Sequence, residues 1–323
     1  MTRFDEHQRT VLVTGATGFI GQQLVHALLQ DGHAVIALTR QGKGAAARFE
    51  GKVRCIGSMD ELSPLDAIDV VVNLAGARIL GPRWSEARKQ TLRRSRIGLT
   101  QGVVNWIAQA RHKPFLFLSA SAIGYYGIQA IGDATPLDES APPQPIFMSD
   151  LCREWEAAAH AAAAHGVQVE CMRFGLVLGR QGALPMMLLP VKLGLGGRLG
   201  TGRQWLSWIH VDDLVRAIAH RWRCAVADGH AAGNAAGNAA PGVGASNFTA
   251  PECVSQFAFS QAAARILHRP CIVPTPAWPI RLALGEQADL LLEGQRVVPS
   301  RLEREGFVFR YPGIEAALRS VAG

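Results

Sequence analysis

Tyrosine and lysine are scarce in this sequence. There are three tyrosines, Tyr125, Tyr126 and Tyr311, and five lysines against 28 arginines, with no lysine between Lys113 and Lys192. A proton-transfer step has few phenols or ammonium groups to draw on. The six cysteines are scattered without a C-x-x-C pair, which excludes a zinc knuckle or a disulfide framework and fits a reducing, cytoplasmic setting. No run of roughly twenty apolar residues occurs, and the opening MTRFDEHQRT lacks the apolar core of a signal peptide, so neither membrane spanning nor export is expected. The net charge is +7, but no aromatic residue interrupts the basic stretch Arg88 to Arg96. That stretch reads as a solvated helix face and not as a nucleic-acid surface.

With 48% hydrophobic and 18% charged residues, the chain is a folded protein long enough for about two domains. Its organising stretch is Thr10 to Gly21, TVLVTGATGFIG. A β-branched run ends in Gly15, Gly18 and Gly21 and passes into apolar residues at helical spacing, Ile20, Leu24, Ala27 and Leu28. Glycines let a backbone turn come close to a pyrophosphate, and the helix N-terminus presents free N–H groups to the same anion. Gly15, Thr17, Gly18, Phe19, Ile20 and Gly21 are the expected contacts, with the hydroxyls of Thr14 and Thr17 as added donors.

The second strand, His33 to Thr39, decides the cofactor. NAD-selective sites hold the ribose 2′-hydroxyl with an acid about 20 residues past the loop. Ala34 through Phe49 contain no Asp or Glu and offer Arg40, Lys43 and Arg48 instead. A 2′-phosphate suits that charge, so NADP is expected, NAD less so, with Arg40 as the contact. Further strands are expected at Lys52 to Ile56, Ile68 to Leu74, Pro114 to Ser119 and Val167 to Phe174, and helices at Pro82 to Arg111, capped by Ser85, at Ser149 to His165 and at Cys253 to His268.

The glycine spacing, the Asn73-Leu74-Ala75-Gly76 strand end and Ser119-Ala120-Ser121 before Gly124-Tyr125-Tyr126-Gly127 resemble the extended, epimerase-like branch of the short-chain dehydrogenase/reductase superfamily. Ser95-Arg96, Arg173-Phe174-Gly175-Leu176-Val177-Leu178-Gly179, Gly-Arg-Gln-Trp before Trp208-Ile209-His210 and the tail from Pro274 to Val321 extend the resemblance along the chain. They point to an atypical subfamily, the epimerase family proteins, whose small C-terminal module has no defined role. The resemblance implies an α/β, Rossmann-type doubly wound parallel sheet with a smaller α/β substrate lobe. The nucleotide domain is expected over 9–182 and about 207–250, and the lobe over 183–206 and 251–323, with the module at about 274–321.

The resemblance also implies that Leu74, Ala75 and Gly76 flank the adenosine half of the cofactor. It places Ser121 where a catalytic serine stands. The family's Tyr-x-x-x-Lys pair, whose lysine holds the ribose and lowers the tyrosine's pKa, is missing: its positions hold Met148 and Cys152 if Glu156 is the glutamate that follows. Tyr125 and Tyr126 are therefore the candidate acids, or they only line the pocket. An acid role needs a cation, Arg153 or the nicotinamide ring, to favour the ionised phenol.

Arg203, Trp205 and Trp208 are candidate substrate contacts, or core residues. Asp212 and Asp213 fit a helix start, where they complement its positive end. His230 to Gly244, with its doubled Gly-Asn-Ala-Ala, reads as a flexible surface insertion. The expected function is an NADP-dependent oxidoreductase or epimerase acting on a carbonyl, alcohol or nucleotide-sugar substrate. The alternative is an NADP(H)-binding sensor or regulator that has lost the chemistry. No metal, nucleic-acid or membrane partner is expected, and the oligomeric state stays open between monomer and homodimer.

Overall fold

A computed structural model describes residues 2–40, 42–234 and 242–322. Strands β1 (Thr10–Thr14), β2 (Ala34–Leu38), β3 (Arg54–Ile56), β4 (Val70–Asn73), β5 (Leu116–Ala122) and β6 (Gln168–Phe174) form one sheet, completed far along the chain by β10 (Val243–Phe248). The order is β3-β2-β1-β4-β5-β6-β10, with every pair parallel. The chain leaves β1 in one direction through β2 and β3, then returns to build outward from β4. The doubly wound sheet is therefore as expected, and its switch point lies between β1 and β4, where ligands bind beyond the strand ends.

Burial on both faces explains the near-continuous apolar strands. On one face, Leu24, Val25 and Leu28 of α1 (Phe19–Gln30) and Leu214, Ile218 and Trp222 of α6 (Val211–Asn234) pack on Val11, Val13 and Val72. On the other, α2 (Glu86–Arg93), α3 (Leu99–Gln109) and α4 (Phe147–His160) follow one another, and Val103, Ile107 and Ala159 cover Leu12, Val71 and Phe117. Ser85 caps α2 as expected, accepting from the Arg88 amide. Gly32 and Gly166 stop helical segments with φ of +86° and +82°.

A third core lies beside the sheet. Here β7 (Leu176–Leu178) pairs with β9 (Trp208–His210), and β8 (Trp205–Leu206) with β11 (Val254–Ser255). Leu178 and Trp208 pack with α5 (Leu184–Lys192), α7 (Gln256–Leu267) and, from the C-terminal end, Ile314 and Leu318 of α11 (Ile314–Ala322). Between α7 and α11 run α8 (Ala277–Leu284), α9 (Asp289–Leu292) and α10 (Ser300–Arg304), and Leu302 of α10 with Phe307 reaches back to the core under α6. The C-terminal residues thus touch two cores.

The expected insertion at His230 to Gly244 is narrower than its composition suggests. The α6 helix continues to Asn234 and β10 begins at Val243, while 235–241 lie outside the described residues. Among the described residues no helix is long and apolar enough to cross a membrane.

Asp212 and Asp213 stand in the first turn of α6, where carboxylates complement the helix dipole. Asp213 does more. Fully buried, it accepts from the backbone amides of Arg310 at 2.8 Å and Tyr311 at 2.7 Å and pairs with Arg216 at 2.8 Å. Replacing it strands two amides, so Asp213→Ala is expected to cost about 2 kcal/mol or more. The midpoint of urea unfolding reads this; an unchanged midpoint would show that the tail is held by other contacts.

Candidate functional site

The glycine loop spans the switch point. Gly15 takes φ of +68°, and a Cβ there would lie 2.9 Å from the Ala75 amide nitrogen. A Cβ on Gly21 would collide with the Gly15 carbonyl. These two glycines let the loop close on itself and against the end of β4. Gly18 is different: it is exposed and caps α1, with no side chain bonded to the helix's first amides and no acid in its first turn. The cradle fits a pyrophosphate, because anion-seeking N–H groups remain unspent at an uncapped N-terminus.

Thr14 corrects the expectation placed on it. Its fully buried hydroxyl donates to Asn73 Oδ1 at 2.6 Å and accepts from the Leu74 and Ala75 amides at 3.1 Å, so it faces the sheet and not a phosphate. Asn73 passes the network on to Thr100 Oγ1 at 2.8 Å and Ser119 Oγ at 3.3 Å, and Trp155 Nε1 donates to Thr100. These bonds fix the ends of β1 and β4, and with them Leu74, Ala75 and Gly76. Thr17 is half-buried, and its carbonyl accepts from Gln22 Nε2 at 2.7 Å. Phe19 lays its ring in the turn at Gly179 and Gly182, where a Cβ would strike it, and Ile20 packs on the core under α1. Arg40, just past β2, is exposed and makes no ion pair or hydrogen bond among the described residues.

At the end of β5 the chemistry gathers around one buried pair. Register places Ser121 beside Arg173 of β6. Arg173 grips Glu156 of α4 with two bonds, Nε to Oε1 and Nη2 to Oε2, each 2.8 Å. Ser121 Oγ donates to Glu156 Oε1 at 2.6 Å. Arg173 Nη1 donates to the Tyr126 hydroxyl at 2.9 Å, and that hydroxyl donates to Asn247 Oδ1 at 2.7 Å. Tyr125 lies with its ring centroid 3.5 Å from the Arg173 guanidinium. Burial alone would lower the Arg173 pKa, but the Glu156 carboxylate raises it above the usual guanidinium value.

The two tyrosines now separate. Tyr126 is 2% exposed with its hydroxyl bonded on both sides, and burial pushes its pKa up to about 12. It is a structural member of the network, which corrects its reading as an acid: burial favours the neutral phenol and outweighs Arg173. Tyr125 is half-buried, and its hydroxyl has no protein partner among the described residues. The nearby cation is Arg173; Arg153 pairs with Asp150 at 2.8 Å and is largely exposed. Met148 and Cys152 do lie beside Gly124, where a Cβ would meet Met148 Cε at 2.8 Å and Cys152 Sγ at 3.7 Å. Burial pushes the Cys152 thiol up to about 12, so no charge is supplied there by α4 itself.

Of the expected substrate contacts, Trp208 is overturned: it is 1% exposed in the third core, an apolar filler between β7 and the helices. Trp205 donates to the Asp133 carbonyl at 2.8 Å with Arg296 over its ring, and Arg203 is exposed beside Gly132. Both meet the 129–135 loop. The basic helix face is not simply solvated either, since Arg93 pairs with Glu154 and Lys89 with Glu286 and Glu86. Sequence reasoning missed Asn247 and the weight of Glu156 and Arg173. Charge alone gave no signal, since α4 also carries Asp150, Arg153 and Glu154 and β6 also carries Glu170.

The C-terminal stretch completes the site's frame. Gln129 N donates to the Gly294 carbonyl at 3.2 Å, Leu137 N to Arg296 at 2.8 Å, and Val298 N to Leu137 at 3.0 Å. Gln295 Nε2 donates to the Gly127 carbonyl, one residue after Tyr126, and Asn247 Nδ2 to Val298 at 3.0 Å.

Comparison with known proteins agrees with this geometry. Residues 11–230 match the model of the NAD dependent epimerase/dehydratase family, and residues 275–321 match a domain of unknown function. An epimerase family protein of Staphylococcus saprophyticus is 39% identical over 311 residues, covering 96% of this chain and 98% of its own. YfhF of Bacillus subtilis, also called an epimerase family protein, is 38% identical, covering 95% and 96%. The crystal structure of human epimerase family protein SDR39U1 (isoform 2) with NADPH superposes with a TM-score of 0.82 at 33% identity, covering 97% of this chain and 99% of that one.

The Tyr126 hydroxyl gives a pH signature. A folded pKa of about 12 against an ordinary 10.0 means that the stability from its neutral form is complete below pH 10 and is lost as the pH climbs towards 12. Tyr126→Phe is expected to lose stability at pH 8, because Asn247 and Arg173 each lose a partner, yet to decline less steeply than the parent between pH 10 and pH 12. Denaturant titrations across that range check this; parallel curves would contradict the assignment.

Proposed function

Because the chain belongs to the NAD dependent epimerase/dehydratase family, we propose that it is an NADP(H)-dependent oxidoreductase or epimerase. The carrying observation is the uncapped glycine cradle at the switch point, with an exposed Arg40 at the end of the next strand that has no partner among the described residues. A guanidinium there suits a 2′-phosphate, no acid stands nearby to hold a 2′-hydroxyl, and the human relative was crystallised with NADPH. Gly15, Thr17, Gly18, Phe19, Ile20 and Gly21 form the pyrophosphate turn, and Leu74, Ala75 and Gly76 its opposite wall.

A bound nicotinamide would supply hydride transfer to or from a substrate carbon. The chain's own part is the proton. Tyr125, the phenol with an uncommitted hydroxyl, exchanges hydrogen bonds with the substrate oxygen, its ring held flat on Arg173. The Ser121 hydroxyl donates its hydrogen bond to Glu156, so towards a substrate hydroxyl it offers lone pairs and acts as an acceptor. Arg173 holds the Glu156 carboxyl in place for that role through its two hydrogen bonds. Carbonyl, alcohol and nucleotide-sugar compounds are the substrates to screen.

The second reading, a nucleotide-responsive binding protein without turnover, is favoured by one observation: Ser121, Glu156, Arg173, Tyr126 and Asn247 already satisfy one another. Two measurements separate the readings. Calorimetry is expected to show NADPH bound in preference to NADH, a preference that Arg40→Ala removes and Gly18→Val abolishes together with binding; equal affinity for both would overturn the NADP assignment. In substrate screens, Ser121→Ala and Tyr125→Phe are expected to cut kcat by about 100-fold or more with NADPH affinity unchanged. NADPH binding without turnover on the whole panel would favour the second reading.

A further inference from the structure

Arg96 stands where the helix after β4 changes its winding. Between α2 and α3 the backbone is π-helical over Arg94–Gly98, a rare geometry that is frequent at functional sites. The wide turn carries Ser95 and Arg96 to the end of β4. Ser95 Oγ accepts from the Ala77 amide at 3.1 Å, and Arg96 Nη2 donates to the Ala77 carbonyl at 3.0 Å. The guanidinium lies against Gly76, where a Cβ would come within 3.2 Å of Cζ, and over the Trp155 ring at 5.3 Å.

Unlike Arg173, Arg221 and Arg301, Arg96 faces no carboxylate among the described residues. Arg173 faces Glu156, while Arg221 and Arg301 both face Glu170 and Glu305. Arg96 is half-buried, and burial lowers its pKa, yet among the described residues it has no ion pair. Its other bonds, from Nη1 to Leu92 O and Ser95 Oγ, are long at 3.4 Å, and Nε has no acceptor among the described residues. A half-buried guanidinium with donors left over can turn them to an anion or hydroxyl in the crevice.

Its place in the crevice identifies that partner. The loop's Gly15 abuts Leu74 and Ala75, so Gly76 and Arg96 lie next along the same wall, on the far side of the switch point from Arg40. A dinucleotide whose adenosine 2′-phosphate meets Arg40 and whose pyrophosphate meets α1 must put its other half beyond β4. We infer that Arg96 is a cofactor-binding residue that holds the nicotinamide half, donating to its 5′-phosphate and ribose hydroxyls from across Gly76. This rests on the NADP(H) reading above.

Two probes distinguish the halves: NADPH, and adenosine 2′,5′-bisphosphate, which carries only the Arg40 side. Arg96→Met is expected to weaken NADPH about 10- to 100-fold, the loss typical of charge-assisted hydrogen bonds, and to leave the bisphosphate within about twofold. Arg96→Lys, which keeps the charge and loses the planar fork, is expected to fall between parent and Arg96→Met for NADPH; it also serves if the methionine variant does not fold. Arg40→Ala is expected to weaken both probes. Equal loss of both probes in the Arg96 variants, or unchanged NADPH affinity, would overturn the inference. A parent protein that binds neither probe would instead overturn the NADP(H) reading.

Discussion

A carboxylate and a guanidinium withdrawn from water fix the centre of this molecule. Glu156 and Arg173 are 5% and 4% exposed. Such a pair is costly to bury and tolerable only when its geometry is good and its remaining hydrogen-bonding capacity is used. Both conditions hold here. The fork-to-fork contact spends two donors, Ser121 donates to the carboxylate, and Tyr126 accepts from the guanidinium, so α4, β5, β6 and the Tyr-Tyr turn are tied at one point.

That point is also where the last strand of the sheet and the C-terminal stretch converge. Asn247 of β10 accepts from the Tyr126 hydroxyl and donates to Val298, and the stretch 294–298 runs beside the loop that follows Tyr126. At the other end, Asp213 in the first turn of α6 accepts the amides of Arg310 and Tyr311. The C-terminal module thus braces the site loop and rejoins the nucleotide fold. The segment that matches a domain of unknown function contacts the residues just after the turn that carries Tyr125, at Gly127 and Gln129.

Most of the fold was legible in the chain. β-branched runs such as Val70 to Val72 announce strands covered on both faces, and Ser85, Gly32 and Gly166 mark helix ends through local hydrogen bonding and positive φ. The glycine turn was legible for the same reason, since its constraint is written in residues a few positions apart. Trp208 misled because an indole reads alike in a pocket and in a core, and Thr14 because a hydroxyl's direction depends on a neighbour, Asn73, that lies 59 residues away.

By itself the sequence determined the doubly wound parallel sheet and the glycine turn, because these depend on periodicity and turn chemistry, and its family resemblance added that Met148 and Cys152 stand where a Tyr-x-x-x-Lys pair is expected. Only the tertiary structure decided which of two adjacent tyrosines has its hydroxyl bonded on both sides, that Arg173 meets Glu156 while Arg96 meets no carboxylate among the described residues, and which segments the C-terminal stretch touches. Each of those outcomes is a pairing between distant segments. The cost or gain of burying a polar group is set by the partner that arrives, and the linear chain does not name that partner.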